Sequence, residues 1–445
     1  MSSTQPPGII IAAPASGSGK TLITQALLRT LKNTGHRVYS AKTGPDYIDP
    51  HFHSVASGHE CINLDSWAMR PEVLGQLINH ISAQAELIVC EGVMGLFDGA
   101  AIDDEKADGS TASLARLTGW PVVLVVDASK QAASVAALVR GFLMHSADVH
   151  VAGLIFNQVG SPAHEAVLRA ACMKHLPDVA VIGALPRQSN LTLPERHLGL
   201  VQAHEHDDLN AFLEDAARLL SEHVDVATFI SLARPTKNFQ VQQSQALLPP
   251  MGSRIAIAQD SSFAFLYPSI VRSWRDAGAE ITYFSPLNGD HPDINANAVY
   301  LPGGYPELHA GRLASNGVLS GLQNAAKKGV FIYGECGGFM VLGRGLIDAD
   351  GTRHKMAGLL PVETSFAKPK LHLGYRQLCT QLDLPFAKSG QSFRGHEFHY
   401  ASVVSENQNA PPLFAATNAK GEEMGLVGCV QNQTAGSFIH LIDQV

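Results

Sequence analysis

The sequence predicts an α/β protein of two domains, each built on a parallel sheet. Three observations carry this. Short apolar runs alternate with segments of helical period through the first half of the chain. The alternation breaks over 231–253, a stretch rich in Gln, Ser and Pro, and a second α/β series starts at Arg254. A chain of 445 residues is also too long for a single core. The expected division is residues 1–230, a linker over 231–253, and residues 254–445.

In order, Gly8–Ala13 reads as a buried strand, and Thr21–Leu31 reads as a helix that Gly35 can stop. Further strands are expected at Leu87–Cys90, Val122–Val126, Leu154–Phe156 and Val179–Ile182, with helical pattern between them, as at Gln131–Phe142. The second series runs through Arg254–Ala258, Ile281–Phe284, Val299–Leu301 and Val330–Tyr333. Buried strands alternating with helices require a parallel sheet covered on both faces.

Composition narrows the function classes. The net charge is −8 with no long basic run, which disfavours nucleic acid as a partner. No stretch approaches the ~18 consecutive apolar residues of a membrane span. The N-terminal residues have no basic region followed by an apolar core, so no signal peptide is expected. Six cysteines, at 61, 90, 172, 336, 379 and 429, form no CxxC pair, and a reducing cytoplasm fits them best.

Two motifs carry chemistry. Residues 14–21, Pro-Ala-Ser-Gly-Ser-Gly-Lys-Thr, follow a strand and precede a helix, as a phosphate-binding loop must. Ser16, Gly17, Ser18 and Gly19 bring backbone N–H groups to phosphate oxygens. Lys20 reaches the β- and γ-phosphates, and Thr21 is placed to hold Mg²⁺. Pro14 stands where such loops usually begin with Gly. Lys42-Thr-Gly-Pro-Asp-Tyr-Ile-Asp-Pro50 reads as a stiff acidic loop facing the nucleotide, and Glu91 ends a strand opposite Thr21. Asp46 and Glu91 are therefore expected to join Thr21 on the metal. Lys42, Tyr47, Asp49 and Asp98 are expected to meet substrate, against the plainer reading that the aspartates cap turns. His51 and His53 form only an HxH, a weak metal signal.

The second motif is Gly334-Glu-Cys-Gly-Gly338 after the apolar Val330–Tyr333, a strand that turns into a helix at a cysteine. Small residues must flank a nucleophile on so sharp a turn. Gly436-Ser-Phe-Ile-His440 supplies a base that would generate the thiolate. Gly304 and Gly337 offer unhindered N–H groups for an oxyanion hole. The other five cysteines lack such a setting and read as core residues.

Taken together, Ser16–Thr21, Gly44-Pro-Asp-Tyr-Ile-Asp-Pro50, Asn63-Leu-Asp65, Glu91–Gly99, Gly334–Gly338 and Gly395-His-Glu-Phe-His-Tyr400 resemble the cobyrinate a,c-diamide synthases, from about residue 8 to the C-terminus. The resemblance implies an N-terminal phosphate-loop NTPase domain like that of dethiobiotin synthetase and a C-terminal class I glutamine amidotransferase domain. It implies ATP-dependent amidation of the a and c carboxylates of a corrin precursor, cobyrinate or hydrogenobyrinate, through acyl phosphates. Ammonia from L-glutamine, released at Cys336, supplies the nitrogen. Nickel-sirohydrochlorin is an alternative substrate. A non-catalytic phosphate-loop switch is an alternative of another class, and it would not need the thiol. A homodimer is carried as the expectation for oligomeric state. Most class I members place Glu two residues after the catalytic His. Here that residue is Ile442, with Asp443 next to it, which leaves open what orients His440.

Overall fold

Buried aliphatic runs make the strands of the first unit, and polar ends aim its chemistry at one edge. The computed structural model describes residues 6–102, 104, 107–187, 195–196, 199–206, 208–237, 246–406 and 410–445. Its contacts divide the chain into Met1–Trp67 with Pro71–Ser244, and Ala68–Arg70 with Gln245–Val445. The expected linker starts too early. Arg234–Pro235 pairs with the first strand of the first unit, while 238–245 lie outside the described residues.

In the first unit, β1 (Pro7–Ala12), β2 (Val38–Thr43), β3 (Ile62–Leu64), β4 (Leu87–Glu91), β5 (Val122–Asp127), β6 (Val151–Val159) and β7 (Ala180–Pro186) form one parallel sheet. Their order is β3-β2-β4-β1-β5-β6-β7. Every residue of β4 is buried, as a sheet covered on both faces demands. Helix α1 (Lys20–Asn33) follows β1 and buries Ile23, Leu27, Leu28 and Leu31. Gly35, just past its end, takes φ 88°. The order places β4 between β1 and β2, so the carboxyl ends of all three open onto the same region, the expected position of a ligand site. The acidic segment after β2 is only partly a loop. Asp49–Ser57 is a helix, α2, with Pro50 in its first turn, where a missing N–H costs nothing.

In the second unit the strands Glu280–Phe284, Arg254–Ala258, Ala298–Leu301, Phe331–Glu335 and Thr434–Ser437 lie side by side and parallel. Antiparallel strands extend this sheet in the order Glu423–Gln431, Pro412–Asn418, His372–Thr380, Ser392–His399 and Ile439–Gln444. The last strand follows Thr434–Ser437 almost directly in the chain, so the antiparallel path returns to where it began. This return brings His440 beside the end of Phe331–Glu335. Among the described residues no helix is long and apolar enough to cross a membrane.

Candidate active site

The turn after β1 is built for backbone approach. Gly17 and Gly19 take φ 77° and 91°, values that side chains bearing a Cβ resist. A Cβ on Gly19 would also run into the Asn157 amide, which donates to the Ser18 carbonyl at 3.0 Å. Ser18 Oγ donates to the Ala15 carbonyl at 2.8 Å and closes the loop. Ser16 is exposed on it. Lys20 opens α1 and donates to the Met94 carbonyl at 2.7 Å. Burial lowers its pKa, and nearby Glu91 opposes that shift.

Behind the loop lies a buried charge cluster. Thr21 Oγ1 donates to Glu91 Oε1 at 2.7 Å and lies 3.3 Å from Asp49 Oδ2. Lys42 Nζ stands 2.5 Å from Asp49, 3.1 Å from Glu91 and 3.5 Å from Asp46. His53 Nε2 meets the other Glu91 oxygen at 2.5 Å. Burial alone would raise the Glu91 pKa. Lys42, His53 and Thr21 outweigh it and hold the carboxylate well below its usual range. Lys42 is held well above its own usual value, because three carboxylates more than offset its burial. Asp49 goes the other way, to about 7, because it is buried beside Asp46 and Glu91 and one ammonium cannot neutralise all three.

The fold separates the polar residues that the sequence groups together. Lys42, set against substrate, is 3% exposed and engaged by three carboxylates. A buried ammonium must be paired, and the sequence places its partners four and seven residues away. Asp49, set against substrate, is the aspartate that touches Thr21. Asp46, set on the metal, uses Oδ1 to accept the Ile48 and Asp49 N–H groups at 2.8 and 3.0 Å, and it caps the turn into α2. Asp98 likewise accepts the Gly95 N–H at 2.8 Å and shapes its own turn. Tyr47 is buried, and His51 is exposed on the same helix turn that buries His53. The donor set of Thr21, Asp49 and Glu91 is all oxygen and more anionic than Lys42 can balance, so it fits a hard divalent cation such as Mg²⁺.

The thiol site is organised by one strained residue. Cys336 has φ 47° and ψ −106°, between the strand Phe331–Glu335 and the helix Gly337–Leu342. Glycine is required on both sides. A Cβ at Gly338 would strike the Leu301 carbonyl, and one at Gly334 would lie 2.7 Å from the Gly338 backbone. Burial pushes the Cys336 thiol up, and the nearby backbone N–H groups of Gly337 and Gly304 act against that push. His440 and Cys336 converge where a Cβ on Gly303 would stand, in contact with His440 Cε1 and 3.2 Å from both His440 Nε2 and Cys336 Cβ.

Burial also pushes the His440 pKa down, to about 3, with His396 and His399 adding to the effect. The resting pair is therefore neutral thiol and neutral imidazole, not the thiolate that the pairing suggests from sequence. Both groups are 1% exposed, and neither ion is solvated there. Asp443 does not serve His440. Ile442 falls at a break in the strand register, and the Asp443 carboxylate is held by Arg70 through Nη2 at 2.8 Å, Nε at 3.0 Å and the backbone N–H at 2.7 Å. Glu397, in the neighbouring strand, is paired with Arg376 at 2.7 Å and His399 at 2.9 Å. The sequence reading passed over Glu335, although a carboxylate ending an apolar strand is itself a signal.

Residues 9–201 match the family described as CobQ/CobB/MinD/ParA nucleotide binding domain, and 254–444 match CobB/CobQ-like glutamine amidotransferase domain. The chain is 51% identical over 438 residues to a protein of Brucella anthropi, covering 98% of each. It is 47% identical to one of Rhizobium meliloti and 46% to one of Rhodobacter capsulatus, covering 98% of this chain and 99% of each relative. All three relatives carry the name hydrogenobyrinate a,c-diamide synthase.

Proposed function

The chain belongs to the hydrogenobyrinate a,c-diamide synthase family of glutamine-hydrolysing ligases, and from that premise we propose that it amidates the a and c carboxylates of hydrogenobyrinate with ATP and glutamine. One observation carries the reading: a phosphate loop and a strained nucleophile cysteine occur in the same chain. A carboxylate is a poor electrophile, and ATP converts it to an acyl phosphate. Ammonia is mostly protonated at neutral pH, so it is made in place.

In the first unit, the loop N–H groups and Lys20 cradle the phosphates. Thr21, Asp49 and Glu91 would hold Mg²⁺, which would neutralise charge on the β- and γ-phosphates. Lys42 and His53 keep Glu91 ionised and oriented for that task. In the second unit, His440 takes the Cys336 proton as the sulfur attacks the glutamine amide. The Gly304 and Gly337 N–H groups receive the developing oxyanion, and His440 returns the proton to the departing ammonia.

The test is to offer hydrogenobyrinate, cobyrinate and nickel-sirohydrochlorin with MgATP and glutamine and to compare kcat/KM. The reading expects hydrogenobyrinate to give the diamide with the highest kcat/KM. Preference for another tetrapyrrole would reassign the substrate, and no turnover with any of them would reject the ligase reading.

A further inference from the structure

We propose that Glu335 is the positioning residue of the thiol site and holds the His440 ring so that Nε2 presents its lone pair to Cys336. This rests on the reading of Cys336 and His440 as the glutamine-hydrolysing pair. Glu335 immediately precedes the nucleophile and is 2% exposed. Its Oε1 accepts the N–H of Leu441, the residue after His440, at 3.1 Å. Its Oε2 accepts the Tyr300 hydroxyl at 2.7 Å and stands 3.8 Å from His440 Nδ1. The carboxylate thus grips the base strand at the base itself. The Cε1–Nε2 edge of the ring faces the point shared with Cys336 Cβ.

The Nδ1 separation is longer than a hydrogen bond. A shift of roughly 1 Å closes it, and catalytic contacts of this kind tighten when substrate binds. An Nδ1–H given to Glu335 fixes the tautomer in which Nε2 is free to take the thiol proton, the part a buried acid plays beside a catalytic histidine. The usual alternative is spent, since Asp443 is held by Arg70.

The carboxyl must be ionised to accept that proton. Burial pushes Glu335 up to about 8, against the Tyr300 hydroxyl and the Leu441 N–H, which favour the ion. The titratable groups around it are Tyr300 from the neighbouring strand, Tyr333 and Cys336 from its own segment and His440 from the last strand. Tyr267 lies one step further, beside Tyr300. Burial holds both tyrosines well above their usual range, so they stay neutral while Glu335 titrates, and Tyr300 remains its hydroxyl donor. Glutamine hydrolysis is expected to rise with pH through the region near 8.

The test compares wild type with Glu335→Gln, Glu335→Asp and Cys336→Ala. It measures glutamine hydrolysis from about pH 6 to about pH 9.5 and amidation driven by ammonium. Glu335→Gln is expected to lower kcat for glutamine about 100-fold or more, with KM little changed, and to remove the rise near 8. Glu335→Asp, which keeps the charge, is expected to recover part of kcat. Ammonium-driven amidation is expected to persist in all three. A Glu335→Gln enzyme that keeps wild-type kcat and pH profile, while Cys336→Ala has lost hydrolysis, overturns this proposal alone. Loss of ammonium-driven amidation in Glu335→Gln would mark a residue of the core and overturn it too. Hydrolysis surviving in Cys336→Ala would instead reject the underlying reading of the site.

Discussion

Two glutamates end two buried parallel strands of this protein, and their environments drive them to opposite states. Glu91 ends Leu87–Glu91 and is 1% exposed. Glu335 ends Phe331–Glu335 and is 2% exposed. Burial raises both. Glu91 is met by Lys42, His53 and Thr21 and stays ionised far below the usual range, while Glu335 is met by one phenol and one backbone N–H and rises to about 8. Burial therefore does not fix the charge of a buried acid; the count of cations and donors against it does. The first site is built to hold charge, as the proposed binding of phosphates and a cation requires. The second is built to exclude charge until a substrate makes proton transfer worthwhile.

The largest break between the two regions is expected from Glu91→Gln. Amidation driven by ammonium should fall by about 1,000-fold or more, because the set of oxygens proposed to hold Mg²⁺ would lose its ionised carboxylate. Glutamine hydrolysis should remain measurable. If both activities fell together in a folded variant, the sites would not be separable as described.

His440→Ala sharpens the other side. Glutamine hydrolysis should drop by about 100- to 10,000-fold, since the neutral thiol loses its only described base. Asp443→Ala should spare kcat for glutamine to within a few-fold but lower stability, because Arg70 loses a buried partner. An Asp443→Ala loss of kcat as large as that of His440→Ala would place Asp443 in the catalytic group after all.

Lys42→Met tests the charge count directly. It leaves Asp46, Asp49 and Glu91 together without their ammonium, and unfolding free energy should fall by about 3–5 kcal/mol in denaturant titration. A neutral outcome would mean the cluster is not held by that cation.

The two glutamates also differ in what they do to the pH dependence of stability. Folded Glu335 keeps its proton to about 8, whereas the unfolded chain releases it near about 4.3. Between those values the native state binds more protons, so this residue makes stability fall as pH rises, by up to about 1.4 kcal/mol per pH unit. The slope ends once the folded carboxyl ionises. Glu335→Gln should lack that contribution, which paired urea titrations across the window would detect.

Much of this was legible from residues alone. Gly17, Gly19 and Gly338 announce close backbone approach, and the Gly-x-Cys-x-Gly turn at 334–338 is strained as its composition implies. What sequence could not rank was which polar groups meet. Asp46 and Asp49 look alike in a line of text, yet the turn into α2 spends Asp46 on backbone N–H groups and delivers Asp49 to Thr21. Lys42 reads as a free cation until three carboxylates fold around it. Glu335 was hidden by the motif that contains it, because attention to the small residues of an elbow overlooks the carboxylate between them. Its meeting with His440 depends on a strand more than 100 residues later, which no local pattern reports.

In the proposed reaction the second unit makes ammonia and the first unit consumes it. The most direct measurement gives Cys336→Ala hydrogenobyrinate and MgATP, once with glutamine and once with ammonium at high concentration, and follows diamide formation. No product is expected with glutamine, and near wild-type rates are expected with ammonium. Product from glutamine, or none from ammonium in a folded variant, would contradict that division of labour.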